Sequence, residues 1–254
     1  MQEFTKFFIE YSESFLTGNA AEDQMIILKR DHCTAVSGLA LELMQSVSAC
    51  PADWRAAELG GLLHDIGRFR QYRQYRTFSD ARSENHAKLS VEVIEELKIT
   101  EKLPPQEQRM ILKTVARHNL PKLPAEPETR QRLLDQVVRD ADKIDIYNIV
   151  LDYYERPELH QSVALDLPDL PQISDEVIAA LSAKQSVNMR ALATLNDFKL
   201  CQLAWVYDLN LFRSRRIFAE RNYIERMCKL IPDFSGFGNI RKQLNDFLNG
   251  DDSQ

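Results

Sequence analysis

Three observations predict an all-α fold for this sequence. Glycine occurs only 8 times in 254 residues, about half the usual share of roughly 7%, too few for the frequent turns of a sandwich or barrel. Apolar residues recur at helical rather than alternating spacing. Eight of the ten prolines gather in three places, at Pro104 and Pro105, at Pro121, Pro124 and Pro127, and at Pro157, Pro168 and Pro171, which marks the loops.

After an N-terminal helix, residues 23–49 place Leu28, Val36, Leu39, Leu43 and Val47 on one stripe, and residues 84–98 place Leu89, Val93 and Leu97 on another. Residues 105–118 open with Pro105 at a first-turn position and carry Ile111 and Val115. A long helix fits 129–154. The stretch 156–173 holds three prolines and no sustained period, so it reads as a linker or long loop. Helices then fit 174–183, 188–212 and 214–230, with a short last one before the polar GDDSQ. This gives a core over 1–155, a linker over 156–173 and a C-terminal helical extension over 174–254, expected to pack on the core.

With 44% hydrophobic and 28% charged residues, the composition is that of a globular chain and excludes disorder throughout. The net charge of -6 opposes sequence-independent attraction to phosphate backbones, so no nucleic acid polymer is expected as a partner. No window approaches the roughly 18 to 20 apolar residues that span a bilayer. The opening MQEFTKFFIEYSESFL carries Glu3, Glu10 and Glu13 against Lys6, unlike a signal peptide. A cytoplasmic protein without a membrane partner is the expectation. Cys33, Cys50, Cys201 and Cys228 show no CxxC spacing and read as reduced thiols, at least three of them in the core.

The histidines carry the functional signal. His32 stands four residues from both Leu28 and Val36, so it points inward. His64 and Asp65 follow ELGGLL, where Gly60 and Gly61 let a neighbour come close. His86 begins the Leu89 and Val93 stripe, His118 ends the Ile111 and Val115 helix, and Asp140 and Asp142 lie in the apolar VVRDADKID. A lone histidine on an apolar face is more often an ordinary core residue. Imidazoles and carboxylates buried together, with no comparable supply of Lys or Arg, point instead to a divalent metal site.

The order His32, His64-Asp65 in LLHDIGRF, His86 in SENHAKLSVEVI, His118 in ILKTVARHN and Asp142 in VRDADKID resembles the HD-domain metal-dependent phosphohydrolase superfamily over about residues 23–155. It is most similar to the bacterial single-domain members in which HDIGRF is followed by a TFSD-type segment. The resemblance implies an HD-domain helical bundle whose helices converge on metal, followed here by the C-terminal extension. It implies His32, His64, Asp65 and Asp142 as core ligands, with His86 and His118 as the two further histidines of binuclear members. Two divalent ions (Fe, Mn, Ni, Zn or Mg) would then be bound, with Asp65 bridging them. Asp142 is preferred to Asp140 because it precedes Lys143, as in the family's ADK pattern; spacing alone leaves that choice open. His118 is followed by Asn119, where HD-GYP phosphodiesterases have paired histidines, and no GYP follows. Cyclic-dinucleotide hydrolysis is therefore not implied.

Such a site activates water as a hydroxide and polarises phosphoryl oxygens. The adjoining RFRQYRQYRTFSDAR, residues 68–82, sets five arginines against one aspartate. Arg68 by proximity, Arg73 by helical phase and Lys143 as neighbour of a ligand are expected to hold the substrate, with Asp65 and Lys143 in the catalytic machinery. The other arginines read as a solvated face, as do Arg213, Arg215 and Arg216. Tyr72 and Tyr75, read in a loop, either stack on a base or pack. Glu84 reads as a first-turn helix charge, so no general acid is identified, and His160 stays outside the metal set. Leu203, Trp205, Leu209 and Phe212 dock on the core or form a homodimer contact. The expected function is hydrolysis of a phosphate ester in a small phosphorylated molecule, nucleotides included. Two other readings stay open on the same residues: a di-iron oxygenase resembling myo-inositol oxygenase, and a non-catalytic nucleotide-sensing module with structural metals.

Overall fold

The computed structural model describes residues 1–156 and 167–250, and these residues are helical with no strand among them. They form two compact units, Met1–Asp145 and Ile146–Gln254. Pro157, His160 and the last four residues lie outside the described residues.

The first unit contains α1 (Gln2–Glu13), α2 (Ala20–Gln45), α3 (Pro51–Leu63), α4 (Gly67–Tyr75), α5 (His86–Glu96), α6 (Pro105–Arg117) and the start of α7 (Thr129–Glu155). The helix starts are written locally. Asn19 accepts from the backbone of Ala21 and Glu22 to cap α2, and Asn85 accepts from Lys88 to cap α5. Pro51 and Pro105 each open a helix where no backbone donor is needed.

Two glycines set how closely these helices approach. A Cβ on Gly61 would lie 2.8 Å from the Val36 carbonyl oxygen and 2.9 Å from Ser37 Cα, so α3 rests directly on the backbone of α2. A Cβ on Gly67 would lie 2.7 Å from the carbonyl carbon of Leu89, so the first turn of α4 rests on that of α5. The Gly67 amide donates to Ser90 Oγ at 2.9 Å across this contact. On α1, Phe8 is fully buried edge-on to Phe69. Charged pairs tie the long helices together: Arg55 on α3 holds Glu107 on α6, and Arg130 on α7 holds Asp53 on α3.

The second unit contains the end of α7 with α8 (Asp175–Ser182), α9 (Leu195–Ala204), α10 (Phe212–Glu220), α11 (Tyr223–Cys228) and α12 (Phe237–Asn249). Tyr147 is at its centre, with its ring 4.7 Å from that of Phe218 and 5.6 Å from that of Tyr223. Thr194 and Asp197 form a capping box at the start of α9.

The structure departs from the sequence reading in several places. The described residues divide inside α7, between Asp145 and Ile146, where the ring of Tyr147 already packs in the second core, and most of the 156–173 linker lies outside the described residues. Residues 68–82 are not a loop, because α4 runs to Tyr75 and is ended by Arg76 at φ 56°. The stretch 188–212 is one α-helix, α9, flanked by 3₁₀ turns at Met189–Ala191 and Trp205–Asp208. The stretch 214–230 is two helices, broken at Asn222, whose φ of 53° no helix continues through. Val47 lies past the end of α2 and is exposed. Leu203 and Leu209 are buried within the second unit, whereas Phe212 is exposed. No helix among the described residues is long and apolar enough to cross a membrane.

Candidate metal centre

Five helices of the first unit bring the six sequence-selected residues to one point. His32 comes from the middle of α2, His64 and Asp65 from the turn after α3, His86 from the first residue of α5, His118 from the end of α6, and Asp142 from α7. The four rings are buried, and Asp65 with them. Adjacent rings meet edge to face, His32 with His64 at 5.2 Å, His64 with His118 at 5.0 Å and His118 with His86 at 4.9 Å.

Each ring has its Nδ1 committed to an acceptor. His32 donates to Asp145 Oδ2 at 2.7 Å, His64 to the Gly61 carbonyl at 2.7 Å, His86 to Asp80 Oδ2 at 2.7 Å, and His118 to the Val115 carbonyl at 2.8 Å. In the neutral ring a proton on Nδ1 leaves Nε2 as a lone pair. All four Nε2 atoms turn inward. Those of His32 and His64 are buried and make no hydrogen bond among the described residues. Those of His86 and His118 face each other at 3.0 Å.

Asp65 stands between the two halves. Its Oδ2 lies 3.9 Å from His32 Nε2 and 3.7 Å from His64 Nε2; its Oδ1 lies 3.5 Å from His86 Nε2 and 3.6 Å from His118 Nε2. Asp142 Oδ1 closes the first half at 3.2 Å from His32 Nε2 and 3.5 Å from His64 Nε2. Two sets have ligand atoms close enough for one ion: His32, His64 and Asp142, and His64, Asp65 and His118. Asp140, the alternative to Asp142, is fully buried and belongs to neither set.

The electrostatics keep Asp65, Asp142, His64 and His86 in ligand form. Burial pushes the Asp65 carboxyl up, but Lys29, Arg68 and the neighbouring rings outweigh it and hold it well below the usual range. Asp142 is likewise held low, burial being outweighed by His32 and His64. Burial lowers His64, and lowers His86 to about 4, so both rings stay neutral at physiological pH. His32 differs: burial and Lys29 disfavour its charged form, yet Asp142 and Asp145 outweigh them and raise it. Buried lone pairs with fixed tautomers and ionised carboxylates are the donor set that a divalent transition ion takes.

Around this set the arginines separate. Arg68 reaches Asp65 Oδ1 through Nε at 3.3 Å, while its Nη1 donates to Gln71, the Phe78 carbonyl and Asp80. Arg73 is not brought to the cluster: its guanidinium lies over the Phe15 ring and against the Ser14 carbonyl. Five residues along a helix is a rotation of about 140° from Arg68, so the phase argument for Arg73 fails. Arg70 pairs with Glu96 and Arg76 with Glu22. Tyr72 packs its ring on Phe78, and Tyr75 donates to Glu84. Lys143 is half-buried beside Asp142 on α7.

Three residues at the centre were not selected from the sequence. Lys29 Nζ donates to Asp65 Oδ2 at 2.8 Å, Asp145 fixes His32, and Asp80 holds both His86 and Arg68. Lys29 is one turn before His32 and Asp145 one turn after Asp142, so helical spacing carried both.

The fold and its centre define a class: a helical domain that gathers imidazoles and carboxylates from several helices into a cluster that could hold metal. Residues 30–147, which contain all six, match the family model described as HD domain. That is the domain of a superfamily made up mostly of metal-dependent phosphohydrolases. No curated protein and no solved structure matches the chain.

Proposed function

We propose that this chain is a metal-dependent phosphohydrolase acting on a phosphate ester of a small molecule, nucleotides included, with two divalent ions in its centre. The observation that carries this reading is the convergence of four Nε2 lone pairs, each with its Nδ1 proton fixed elsewhere, on the two oxygens of Asp65. His32, His64 and Asp142 would hold one ion, His86 and His118 the other, and Asp65 would bridge them. Ions bound there supply Lewis acidity toward phosphoryl oxygens and a water of lowered pKa.

The chain's own groups do the rest. Asp145, Asp80 and the Gly61 and Val115 carbonyls keep the rings aimed, which sharpens ligand geometry without adding charge at the reacting centre. Arg68, pinned by three acceptors on one nitrogen, keeps a guanidinium facing the Asp65 side of the centre and orients a phosphoryl group there. Lys143 is the second cation assigned to the substrate, from the Asp142 side.

The test is metal analysis of protein never exposed to chelator, joined to a screen of phosphomonoesters, phosphodiesters and nucleotides run with and without oxygen. Phosphate release that survives rigorous anaerobiosis supports the proposal. Turnover that consumes oxygen stoichiometrically and requires iron replaces it with the di-iron oxygenase reading, and metal uptake with no turnover of any ester replaces it with the sensing module.

A further inference from the structure

Lys29 and Arg68 both neutralise Asp65, yet they are held in opposite ways. Arg68 meets Oδ1 through Nε, and its Nη1 is fixed by Gln71, the Phe78 carbonyl and Asp80. Lys29 meets Oδ2, and among the described residues that bond is its only hydrogen bond. Its side chain keeps 18% exposure, and its ammonium lies 5.6 Å from the centre of the Phe78 ring. A lysine on a flexible four-carbon stem with one polar partner and an opening to water is free to exchange that partner. A guanidinium with four acceptors is not.

Asp65 Oδ2 is the oxygen that faces His32 and His64, the half of the centre closed by Asp142. An ammonium at 2.8 Å from this oxygen lies against the same carboxylate that a divalent cation would take. An ion on the same oxygen would set two positive charges close together in a buried setting, and of the two side-chain cations on Asp65 only Lys29 is held loosely enough to retreat. From this geometry, and resting on the reading of the cluster as a metal centre, we infer that Lys29 is an exchangeable counter-ion: it holds Asp65 in the metal-free protein, yields Oδ2 on metal loading, and then serves as a ligand for the phosphoryl oxygens of the substrate. Metal-free protein would thereby lack one of its anion ligands, so that substrate binding follows metal binding. Phe78, which also approaches Arg68 at 5.9 Å, keeps the released ammonium beside the centre rather than in open water.

The inference is tested on the wild-type chain by acetylating lysines with an amine-reactive ester and reading each site by mass spectrometry. The exposed Lys88, whose side chain is 76% accessible, serves as internal reference. Lys29 should be slow in metal-free protein, at least about fivefold faster with Mn²⁺, and slow again when inorganic phosphate is added. In Lys29→Met, Mn²⁺ should bind at least about tenfold more tightly, since a like charge is gone. Phosphate should bind the Mn²⁺-loaded variant at least about tenfold more weakly than loaded wild type. A wild-type chain that takes up no ion overturns the metal centre and this inference together. Uptake of Mn²⁺ with Lys29 labelling unchanged, or phosphate affinity unchanged in Lys29→Met, overturns this inference alone.

Discussion

His86 and His118 present their Nε2 atoms to each other at 3.0 Å while both Nδ1 protons are committed, to Asp80 and to the Val115 carbonyl. Two lone pairs at that distance repel, and a shared cation relieves them. Replacing either histidine by alanine should therefore lower metal content from about two ions per chain to about one, read by inductively coupled plasma spectrometry. Asp65→Ala, which removes both facing oxygens, should empty the centre with helical content nearly intact by circular dichroism. Stoichiometry unchanged in both histidine variants would reduce the centre to its His32, His64 and Asp142 half.

Arg68 and Arg73 should part in kinetics as they do in position. Loss of a charge-assisted bond near the reacting group is worth about 1.5 to 3 kcal/mol. Arg68→Ala should thus lower phosphate release about tenfold to a hundredfold, and Arg73→Ala should leave it within about twofold. Equal losses in the two variants would return Arg73 to the site.

Gly67 and Gly38 offer a stability contrast on the same chain. A methyl group at Gly67 meets the α5 backbone, while one at Gly38 meets nothing within 4 Å. Gly67→Ala should destabilise by about 1–3 kcal/mol through overpacking. Gly38→Ala should stabilise by about 0.5–1 kcal/mol, as helix interiors favour alanine. Urea denaturation of the metal-free protein reads both, and a neutral Gly67→Ala would show that α4 and α5 can separate.

Asp197 gives the second unit an acid-sensitive joint. Its carboxylate accepts from the Ser174 amide and hydroxyl, each at 2.7 Å, and from the Ala193 amide at 2.9 Å. Burial pushes its carboxyl up, but these donors outweigh it and hold it below its ordinary 3.8. A lowered folded value contributes stability that is present above the unfolded value and lost as pH falls through 3.8 toward the folded one. Asp197→Asn should lower stability at pH 7 by about 1–3 kcal/mol and show a flatter decline over the acid range. An unchanged acid limb would mean that other carboxylates govern it.

The thiols should differ sharply toward Ellman's reagent. Cys50 is exposed, whereas burial pushes Cys201 up to about 11 and Cys228 up to about 12, and raises the fully buried Cys33 as well. One fast thiol per native chain is expected, absent in Cys50→Ser, with the other three reacting on unfolding. A second fast thiol in native protein would contradict the burial described above.

Much of the centre was legible because helical spacing turns residues inward whatever their chemistry: His32 falls between Leu28 and Val36, and His86 heads the Leu89 stripe. Lys29 and Asp145 share these faces one turn away, but neither a half-buried lysine nor a carboxylate one turn beyond a ligand announces its role by residue type alone. Asp80 had no such signal, since it reaches His86 from a 3₁₀ turn (Asp80–Arg82) where no period runs. The break between α10 and α11 was hidden for a related reason. Asn222 adopts a left-handed conformation with no glycine or proline nearby to announce it.

His64 and His118 share a further trait. Each follows a helix and fixes its ring on a main-chain oxygen three residues back, Gly61 and Val115, in the final turn where carbonyls have no successor to bond. The spare acceptors of a helix end thus serve as brackets for the rings, and no side chain is spent on the task. His32 and His86 depend instead on carboxylates that a single codon change would remove. Alanine scanning of this domain will consequently report only half of the parts that aim its imidazoles, because the other half is backbone.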